Sequence, residues 1–389
     1  MYHNFAMRIL AVDVGTGTQD ILVFDSQQPV ENALQMIMPS PTQIAAGRIR
    51  RATAAARPVL LTGVTAGGGP CHWALEEHLR CGLPAYATPE AAATFDDDLE
   101  SVQRMGVTLV SEDETRGLDA ERVPLRDLDL DAIRTALSAF DVDPSCDGLA
   151  LGCLDHGAAP SGYSDRLFRF DHLRRVAGAR NDLRAFAFLP EELPEYLTRA
   201  RSLVACASAS GGPTVFLDTG PAAALGALQD PPVGREEEQV VLNLGNMHAL
   251  AFHLRGTEII SLYEHHTGEI TAAQIEDFTE RLIAGSLPHE DVFNSKGHGV
   301  FYAAYTDRAV VAGLKPAPTP DAGARPLVAV TGPQRGKLRG SRLNPYFAVP
   351  HGDMMVSGCF GLLWGFAEKH PQHRDEILSA LGISAAPVG

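Results

Sequence analysis

Closely spaced cysteines are absent from this 389-residue sequence, and no two of its six cysteines form a Cys-x-x-Cys pair. A dense cysteine framework is the usual mark of a small secreted domain, so a disulfide-stabilised extracellular protein is not expected. Reduced thiols in the cytosol are the expected state. The cysteines are Cys71, Cys81, Cys146, Cys153, Cys206 and Cys359.

Basic residues are also in the minority, with 32 Lys and Arg against 48 Asp and Glu, a formal charge of -16 and a pI near 5.3. Such a surface repels a phosphate backbone, which makes nucleic acid a poor candidate partner. Local basic clusters such as Arg335, Lys337 and Arg339 still allow a small anion to bind.

Long uncharged stretches are missing as well, and the start from Met1 to Arg8 lacks a basic segment followed by an apolar one. A bilayer span needs about 20 apolar residues, so no membrane partner is expected. The chain is therefore predicted to be cytoplasmic and untargeted.

The first strong pattern present is a pair of apolar runs around a Gly/Thr turn, from Arg8 to Asp25, which predicts a β-hairpin. Asp13 ends the first run, and backbone N–H groups and hydroxyls of the turn could hold phosphate oxygens while Asp13 holds Mg²⁺. The alternative is a tight turn whose glycines only satisfy positive φ. The turn residues proposed to bind a cofactor are Gly15, Thr16, Gly17 and Thr18.

Strands and helices then alternate as in a parallel α/β sheet, and residues 96–145 are more acidic and less periodic, which predicts a solvated helical insertion. The strand from Gly148 ends in Asp155 and His156, two ionisable groups at the expected wall of a site. Prolines and charges near residue 235 indicate a boundary between two lobes, 7–235 and 236–389.

The second half opens as the first does, with a meander from Gln239 to Tyr263 whose first turn is Asn243-Leu-Gly-Asn-Met-His248. Two facing hairpins would form a clamp around phosphates. The residues proposed for the second turn are Asn243, Gly245, Asn246 and His248.

The segment from Asp13 to Thr18 resembles the first phosphate motif of the actin-like ATPase superfamily, which includes sugar kinases and seventy-kilodalton heat-shock proteins. The resemblance implies an α/β fold of two ribonuclease H-like lobes with ATP and Mg²⁺ in the cleft between them. It places Asp155 where kinases of the superfamily keep a base, and Gly332 and Pro333 at an adenosine motif that begins at Leu327. Asn243 departs from the aspartate that usually opens the second phosphate motif, which puts metal coordination by the second lobe in doubt.

Several segments are similar to an uncharacterised family of that superfamily, some of whose members are labelled pyruvate formate-lyase activating enzymes. That label implies radical S-adenosylmethionine chemistry on an iron–sulfur cluster. The cysteines here lack the Cys-x3-Cys-x2-Cys spacing which that chemistry needs, so no iron–sulfur cluster is expected. The similar segments are 243–250, 263–268, 330–333, 351–355 and 358–361.

The richest group of titratable residues is Glu264-His-His-Thr267, which could transfer protons or bind a metal. Adjacent strand residues point to opposite faces, so His265 and His266 cannot easily share one metal, and a polar strand end is the alternative. His298 lies between two glycines in a segment that could close over a ligand or only turn. Gly352 and Asp353 are proposed to close the cleft, although Asp353 could be only a helix N-cap.

The sequence thus predicts an enzyme that transfers or hydrolyses the γ-phosphoryl group of ATP, with Asp13 holding the metal and Asp155 or His156 orienting the nucleophile. The acceptor, a small molecule or a protein client, stays open. One alternative is a regulator that binds a nucleotide without turnover, which Asn243 favours. Another is a metal-dependent hydrolase or transferase built on Glu264, His265, His266 and His248.

Overall fold

The computed structural model describes residues 7–303 and 325–383. Its strands are β1 (Arg8–Val14), β2 (Thr18–Asp25), β3 (Leu34–Pro39), β4 (Val59–Gly63), β5 (Ala85–Ala87), β6 (Val107–Leu109), β7 (Glu121–Leu125), β8 (Gly148–Cys153), β9 (Ala187–Phe188), β10 (Thr214–Asp218), β11 (Glu238–Leu244), β12 (His248–Arg255), β13 (Glu258–His266), β14 (Gly299–Tyr302), β15 (Leu327–Thr331) and β16 (Tyr346–Phe347). Its helices are α1 (Pro41–Ala54), α2 (Pro70–Arg80), α3 (Pro89–Ala92), α4 (Leu99–Met105), α5 (Leu130–Ser138), α6 (Asp165–Ala179), α7 (Thr198–Ala207), α8 (Thr219–Ala227), α9 (Pro231–Gly234), α10 (Ala272–Ile283), α11 (His289–Asn294), α12 (Ser357–Lys369) and α13 (Arg374–Ala380).

Two six-stranded sheets share one order over five of their strands, in which β3-β2-β1-β8-β10 corresponds to β13-β12-β11-β15-β16. The first runs β3-β2-β1-β8-β10-β9, and the second runs β14-β13-β12-β11-β15-β16. In each, the first strand of an antiparallel meander pairs in parallel with one further strand, β8 or β15, which in turn pairs in parallel with β10 or β16. This duplicated arrangement is the two-lobed actin-like ATPase fold, as the sequence predicted.

The central strands carry long apolar runs because both faces of their sheet are covered. In β1, Ile9 and Ala11 pack into one core, while Leu10, Val12 and Val14 pack into another. Successive side chains of a strand point to opposite faces, so an uninterrupted apolar run buries both sides. The carboxyl end of β1 is therefore fixed rigidly, and Asp13 with it.

Helices α8 and α12 cross between the two sheets at very short range. A Cβ atom on Gly226 would lie 1.8 Å from the carbonyl oxygen of Ser357, and one on Gly361 would lie 1.8 Å from that of Ala222. Only glycine allows backbones to approach so closely. Helix α8 contacts β11 and β15 of the second sheet as well as β8 and β10 of the first, and α12 contacts β1, β8 and β10. The segment 357–369 therefore packs on the first sheet although it follows the predicted lobe boundary at residue 235, which stays a prediction.

The prediction that residues 96–145 form a helical insertion is wrong, because the segment also contains strands. It contains β6 and β7 beside α4 and α5, and these strands complete a parallel four-stranded sheet of order β6-β5-β4-β7. The sheet has its own core with α1 and α2. A strand of three residues is too short to give a period-2 signal, which is why the acidic composition dominated the prediction.

Across residues 7–303 and 325–383, every helix is too short or too polar to cross a lipid bilayer.

Candidate active site

Two β-turns of the same construction face each other between the lobes. In the β1–β2 turn the amide of Gly15 donates to the carbonyl of Thr18 at 3.0 Å, and in the β11–β12 turn the amide of Gly245 donates to that of His248 at 2.9 Å. The turns approach so closely that a Cβ atom on Gly17 would lie 2.3 Å from Nδ2 of Asn246. The pair of hairpins predicted from the sequence thus encloses a common space.

Only the first turn is flanked by carboxylates. Asp13 pairs with Asp20 across β1 and β2, whereas Asn243 pairs with Leu250 at the corresponding place across β11 and β12. All of these residues line the cleft. The negative charge available to a cation therefore comes from the first lobe.

Asp13 is buried, and Asp20 is half-buried with its Oδ1 shielded from water. Burial raises the pKa of Asp13 to about 6, although the Thr219 hydroxyl donates to its Oδ1 at 2.7 Å. Burial, reinforced by the Asp13 charge, raises the pKa of Asp20 to about 8, and the buried Oδ1 of Asp20 has no hydrogen-bond partner in the described part of the chain. An oxygen of this kind is costly unless a donor or a cation satisfies it.

The remaining wall of the cleft comes from the end of β15 and the start of α12. Gly332 has a φ of +93°, and a Cβ atom there would lie 2.5 Å from the carbonyl oxygen of Leu244. Pro333, Met355 and Ser357 also line the cleft, which encloses about 110 Å³. A ligand on this wall would contact backbone rather than side chains at Gly332.

A second pocket of about 320 Å³ adjoins the cleft on the side of the four-stranded sheet. It is lined by the loop Gly67–Gly69 and by His156, and it shares Thr16, Arg199 and His248 with the cleft. Because they share these residues, the cleft and the second pocket are adjoining parts of one cavity.

Arg199 stands at the junction of the two pockets. Its guanidinium pairs with the buried Asp127 at 2.6 Å and donates to the carbonyl of Leu154 at 2.6 Å. A Cβ atom on Gly67 would lie 2.6 Å from Nη2 of Arg199, so the glycine loop leaves room for this cation. Burial alone would lower the pKa of Arg199, but Asp127 raises it above its ordinary value. The group is a fixed positive charge.

Asp155 lies in the short segment after β8, and both of its carboxylate oxygens accept hydrogen bonds from backbone amides. Its Oδ1 accepts from the Gly157 amide at 2.8 Å and its Oδ2 from the Ala200 amide at 2.9 Å. These bonds tie the segment to α7, the helix that carries Arg199. The geometry favours a positioning role for Asp155 over the role of base predicted from the sequence.

A buried ionic network lies behind His248. The Arg169 guanidinium is fully buried and contacts Asp218 at 2.5 Å and Glu264 at 3.1 Å. Burial alone would raise the pKa of Glu264, but Arg169 and the neighbouring imidazoles hold it well below the ordinary value. Glu264 also contacts Nδ1 of His248 at 3.0 Å. This carboxylate is therefore an ionised partner of His248.

Four imidazoles surround the point where the two lobes meet below the second pocket. Centroids of the His248 and His298 rings are 5.0 Å apart, His156 is 5.0 Å from His248, and His266 is 4.6 Å from His298. His265 faces the opposite side of β13, where it contacts Phe278 and the Ser295 hydroxyl. The metal set considered from the sequence, Glu264, His265, His266 and His248, therefore needs correction. Strand alternation puts His265 on the opposite face of β13, and Glu264 is already paired with Arg169.

Comparison with protein families gives one match. Residues 66–336 match the family described as "Putative pyruvate format-lyase activating enzyme (DUF1786)", a span of more than half the chain. The chain belongs to this family. Comparison with curated protein sequences gave no match.

Solved structures similar to this family member include three of low overall agreement. ROK hexokinase from Thermus thermophilus has a TM-score of 0.30 at 12% identity, covering 93% of this chain and 100% of its own. MreB5 of Spiroplasma citri bound to ADP has 0.34 at 12%, with 95% and 98% covered. The Aquifex aeolicus member of the Ppx/GppA family has 0.28 at 9%, with 97% and 89% covered. The repeated strand order of the two sheets carries the two-lobed architecture of this chain.

Ten of the residues that the sequence analysis proposed for the site line the cleft of this family member. Gly17 does not line the cleft but lies against Asn246 of the facing turn. Asp155 and His156 line the second pocket. Gly352 and Asp353 are not among the residues that line either pocket, and Asp353 accepts from the Met355 amide. The predicted residues that line the cleft are Asp13, Gly15, Thr16, Thr18, Asn243, Gly245, Asn246, His248, Gly332 and Pro333.

Other site residues went unnoticed in the sequence. Asp20 could have been found, because hairpin register places it directly across from Asp13. Arg199 and Arg169 lie in ordinary helical sequence, and nothing local distinguishes them from surface arginines. Their roles depend on partners far away in the chain.

Proposed function

We propose that this protein binds a nucleoside triphosphate with Mg²⁺ in the cleft and transfers or hydrolyses its γ-phosphoryl group. The proposal is carried by one observation, the two matched turns that face each other with Asp13 and Asp20 on one side only. Glycine turns with free backbone amides are anion sites, and a paired carboxylate set is a Mg²⁺ site. Neither feature is needed for a hairpin to turn.

The carboxylates suit a hard divalent cation. Asp20 has a buried oxygen without a partner in the described residues, and Asp13 is buried with one hydroxyl donor. Oxygen ligands and a largely retained water shell are what Mg²⁺ prefers. Bound there, Mg²⁺ would offset negative charge on the transferring phosphoryl group.

The chain itself positions the phosphates and the acceptor. Turn amides and the Thr16 and Thr18 hydroxyls hold phosphate oxygens, and Arg199 supplies a fixed cation where the cleft meets the second pocket. An acceptor in the second pocket lies beside that cation, so the two substrates meet at Arg199. Holding both in one geometry and excluding water contributes most of the rate in phosphoryl transfer.

The cleft has to open to admit a whole nucleotide. Its volume of about 110 Å³ is below the roughly 300–1,000 Å³ of pockets that hold small molecules. Lobe separation about the crossing of α8 and α12 would enlarge it, and closure would then sequester the substrates. Nucleotide binding is therefore expected to be accompanied by a change in lobe spacing.

Calorimetric titration with ATP and Mg²⁺, followed by an assay for ADP release, tests the proposal. Binding followed by slow ADP release without an acceptor supports a phosphotransferase or ATPase. Binding that never produces ADP, with small molecules or cell extract added as acceptors, favours the nucleotide-binding regulator. Absence of binding would refute the nucleotide function altogether.

The activity in the family's description is not part of this proposal. Radical S-adenosylmethionine enzymes need three cysteines in a short loop, and the cysteines here lie far apart in sequence. Three of them, Cys71, Cys153 and Cys359, are buried in strands or helices of the core.

Gly358→Ala is expected to disable the site by displacing the carboxylate of Asp13. The added Cβ atom would lie 2.0 Å from Oδ2 of Asp13, so the carboxylate of Asp13 would have to move. We expect about a 10²-fold loss of turnover from the displaced carboxylate, and a stability loss of about 1–3 kcal/mol from overpacking. Steady-state kinetics and thermal unfolding measure the two effects.

Gly178→Ala is the matched control, because it is also a helical glycine but has no atom within 4 Å of the added Cβ. It should leave turnover unchanged and raise stability by roughly 0.5–1 kcal/mol. Equal turnover in the two variants would show that Asp13 need not be held in place.

A further inference from the structure

We propose that His156, His248 and His298 bind one transition-metal ion at the boundary between the cleft and the second pocket. The site is separate from the carboxylates proposed for Mg²⁺, and it does not depend on nucleotide binding. It also differs from the metal-binding set weighed from the sequence, Glu264, His265, His266 and His248, with which it shares only His248.

The three imidazoles can reach one ion. One ring nitrogen from each lies within 4.8 Å of the others. An ion at the centre of a triangle of that size lies about 2.8 Å from each nitrogen, compared with about 2.0–2.1 Å for a zinc–imidazole bond. An inward movement of each ring by no more than about 0.8 Å completes the bonds.

Three of the ring nitrogens in this cluster have no hydrogen-bond partner among the described residues. His298 is fully buried, and neither of its ring nitrogens has a hydrogen-bond partner in the described part of the chain. The buried Nε2 of His156 lacks one as well. Buried polar atoms are nearly always paired, and two adjacent imidazoles with unpaired nitrogens point to a missing common partner.

His248 carries the outer support typical of a metal ligand. Its Nδ1 contacts Glu264 at 3.0 Å, and Glu264 is fixed in turn by Arg169. A carboxylate on one ring nitrogen sets the tautomer and makes the other nitrogen, here Nε2, a better ligand. The buried ionic network therefore has a purpose beyond stability, since it orients this ring.

The ligand set selects the class of metal. Three nitrogen donors without a carboxylate favour Zn²⁺, Co²⁺, Ni²⁺ or Fe²⁺ over Mg²⁺ and Ca²⁺, which prefer oxygen. Three protein ligands also leave a coordination position unfilled, as in catalytic rather than structural zinc sites. His156 and His248 both line the second pocket, so that position opens towards the proposed acceptor.

Cobalt titration of untagged, chelator-treated full-length protein tests the site. Wild type is expected to bind one equivalent of Co²⁺ with the visible absorption of a low-coordinate nitrogen site, and Zn²⁺ should displace it. His298→Leu should weaken binding by more than the roughly 10–100-fold that loss of an outer-shell partner costs. His265→Gln is the matched control, because His265 lies on β13 but faces away, and it should bind as wild type does.

Stability measurements separate ligand loss from misfolding. Without metal, His298→Leu should be at least as stable as wild type, because it removes two buried nitrogens that have no partner among the described residues. Zn²⁺ should raise the thermal midpoint of wild type and of Asp13→Asn, but not that of His298→Leu. If His298→Leu fails to fold, His156→Gln at the pocket rim takes its place in the same titration.

Two results would overturn the proposal. One is the absence of stoichiometric Co²⁺ or Zn²⁺ binding by wild type. The other is binding that His298→Leu or His156→Gln leaves unchanged, or that Asp13→Asn abolishes, since the metal would then lie at the carboxylates.

Discussion

Asp13→Asn is expected to abolish Mg²⁺-dependent nucleotide turnover while leaving the protein folded. Asparagine keeps the size of the side chain and can still accept from the Thr219 hydroxyl, so packing at the end of β1 is preserved. What it removes is the charge that would hold the cation next to Asp20. Removing one electrostatic group from a transition-state site costs on the order of 10²–10³-fold in rate, and losing the cation costs at least that much.

ADP release at saturating ATP and a Mg²⁺ titration of the rate measure this effect. Asp25→Asn is the matched control, because Asp25 lies at the opposite end of the same hairpin and, within residues 7–303 and 325–383, its side chain hydrogen-bonds only to the amide of Gln27. It should leave the rate unchanged. Full turnover by Asp13→Asn would move the metal away from this hairpin and remove the main support for the proposed function.

The sequence predicted the parts of the site that lie within one local segment. Asp13 and the Gly15–Thr18 turn are recognisable because a strand, a turn and a strand follow each other within eighteen residues of Arg8–Asp25. The second turn was found in the same way, from its meander. Local hairpins keep their register whatever the rest of the chain does, so pattern alone is enough.

Contacts between distant segments were beyond that kind of prediction. His156, His248 and His298 come from three separate segments, and only the folding of both lobes brings their rings together. In the sequence, His265 and His266 stood out as a candidate metal site because they are adjacent. Adjacent residues of a strand face opposite ways, so nearness in sequence was a poor guide to a shared ligand.

Arg169 shows the same limit most clearly. It lies in a helix with arginines at 166, 174 and 175, so its sequence suggests a solvated face. Yet its side chain is fully buried, and the partners Asp218 and Glu264 follow 49 and 95 residues later. No period or composition in the helix distinguishes it from Arg175, which is exposed.

Arg169→Ala should therefore be the most destabilising of the substitutions considered. It leaves Asp218 and Glu264 buried with no cation, and removing one partner from a buried ionic network costs about 3–5 kcal/mol. Arg175→Ala, on the same helix, loses a contact with the Tyr196 hydroxyl at the surface and should cost no more than about 1 kcal/mol. Urea unfolding midpoints, followed by intrinsic fluorescence and circular dichroism together, measure both changes.

The triple variant Arg169→Met, Asp218→Asn, Glu264→Gln separates charge from packing. It removes the cation and both anions together, so no buried charge is left uncompensated, and it should recover much of the stability that Arg169→Ala loses. It should still bind Co²⁺ more weakly than wild type, because Glu264 no longer orients His248 as a carboxylate. If stability and metal affinity recovered together, the network would matter only for folding, and its proposed role in holding His248 for a metal would be wrong.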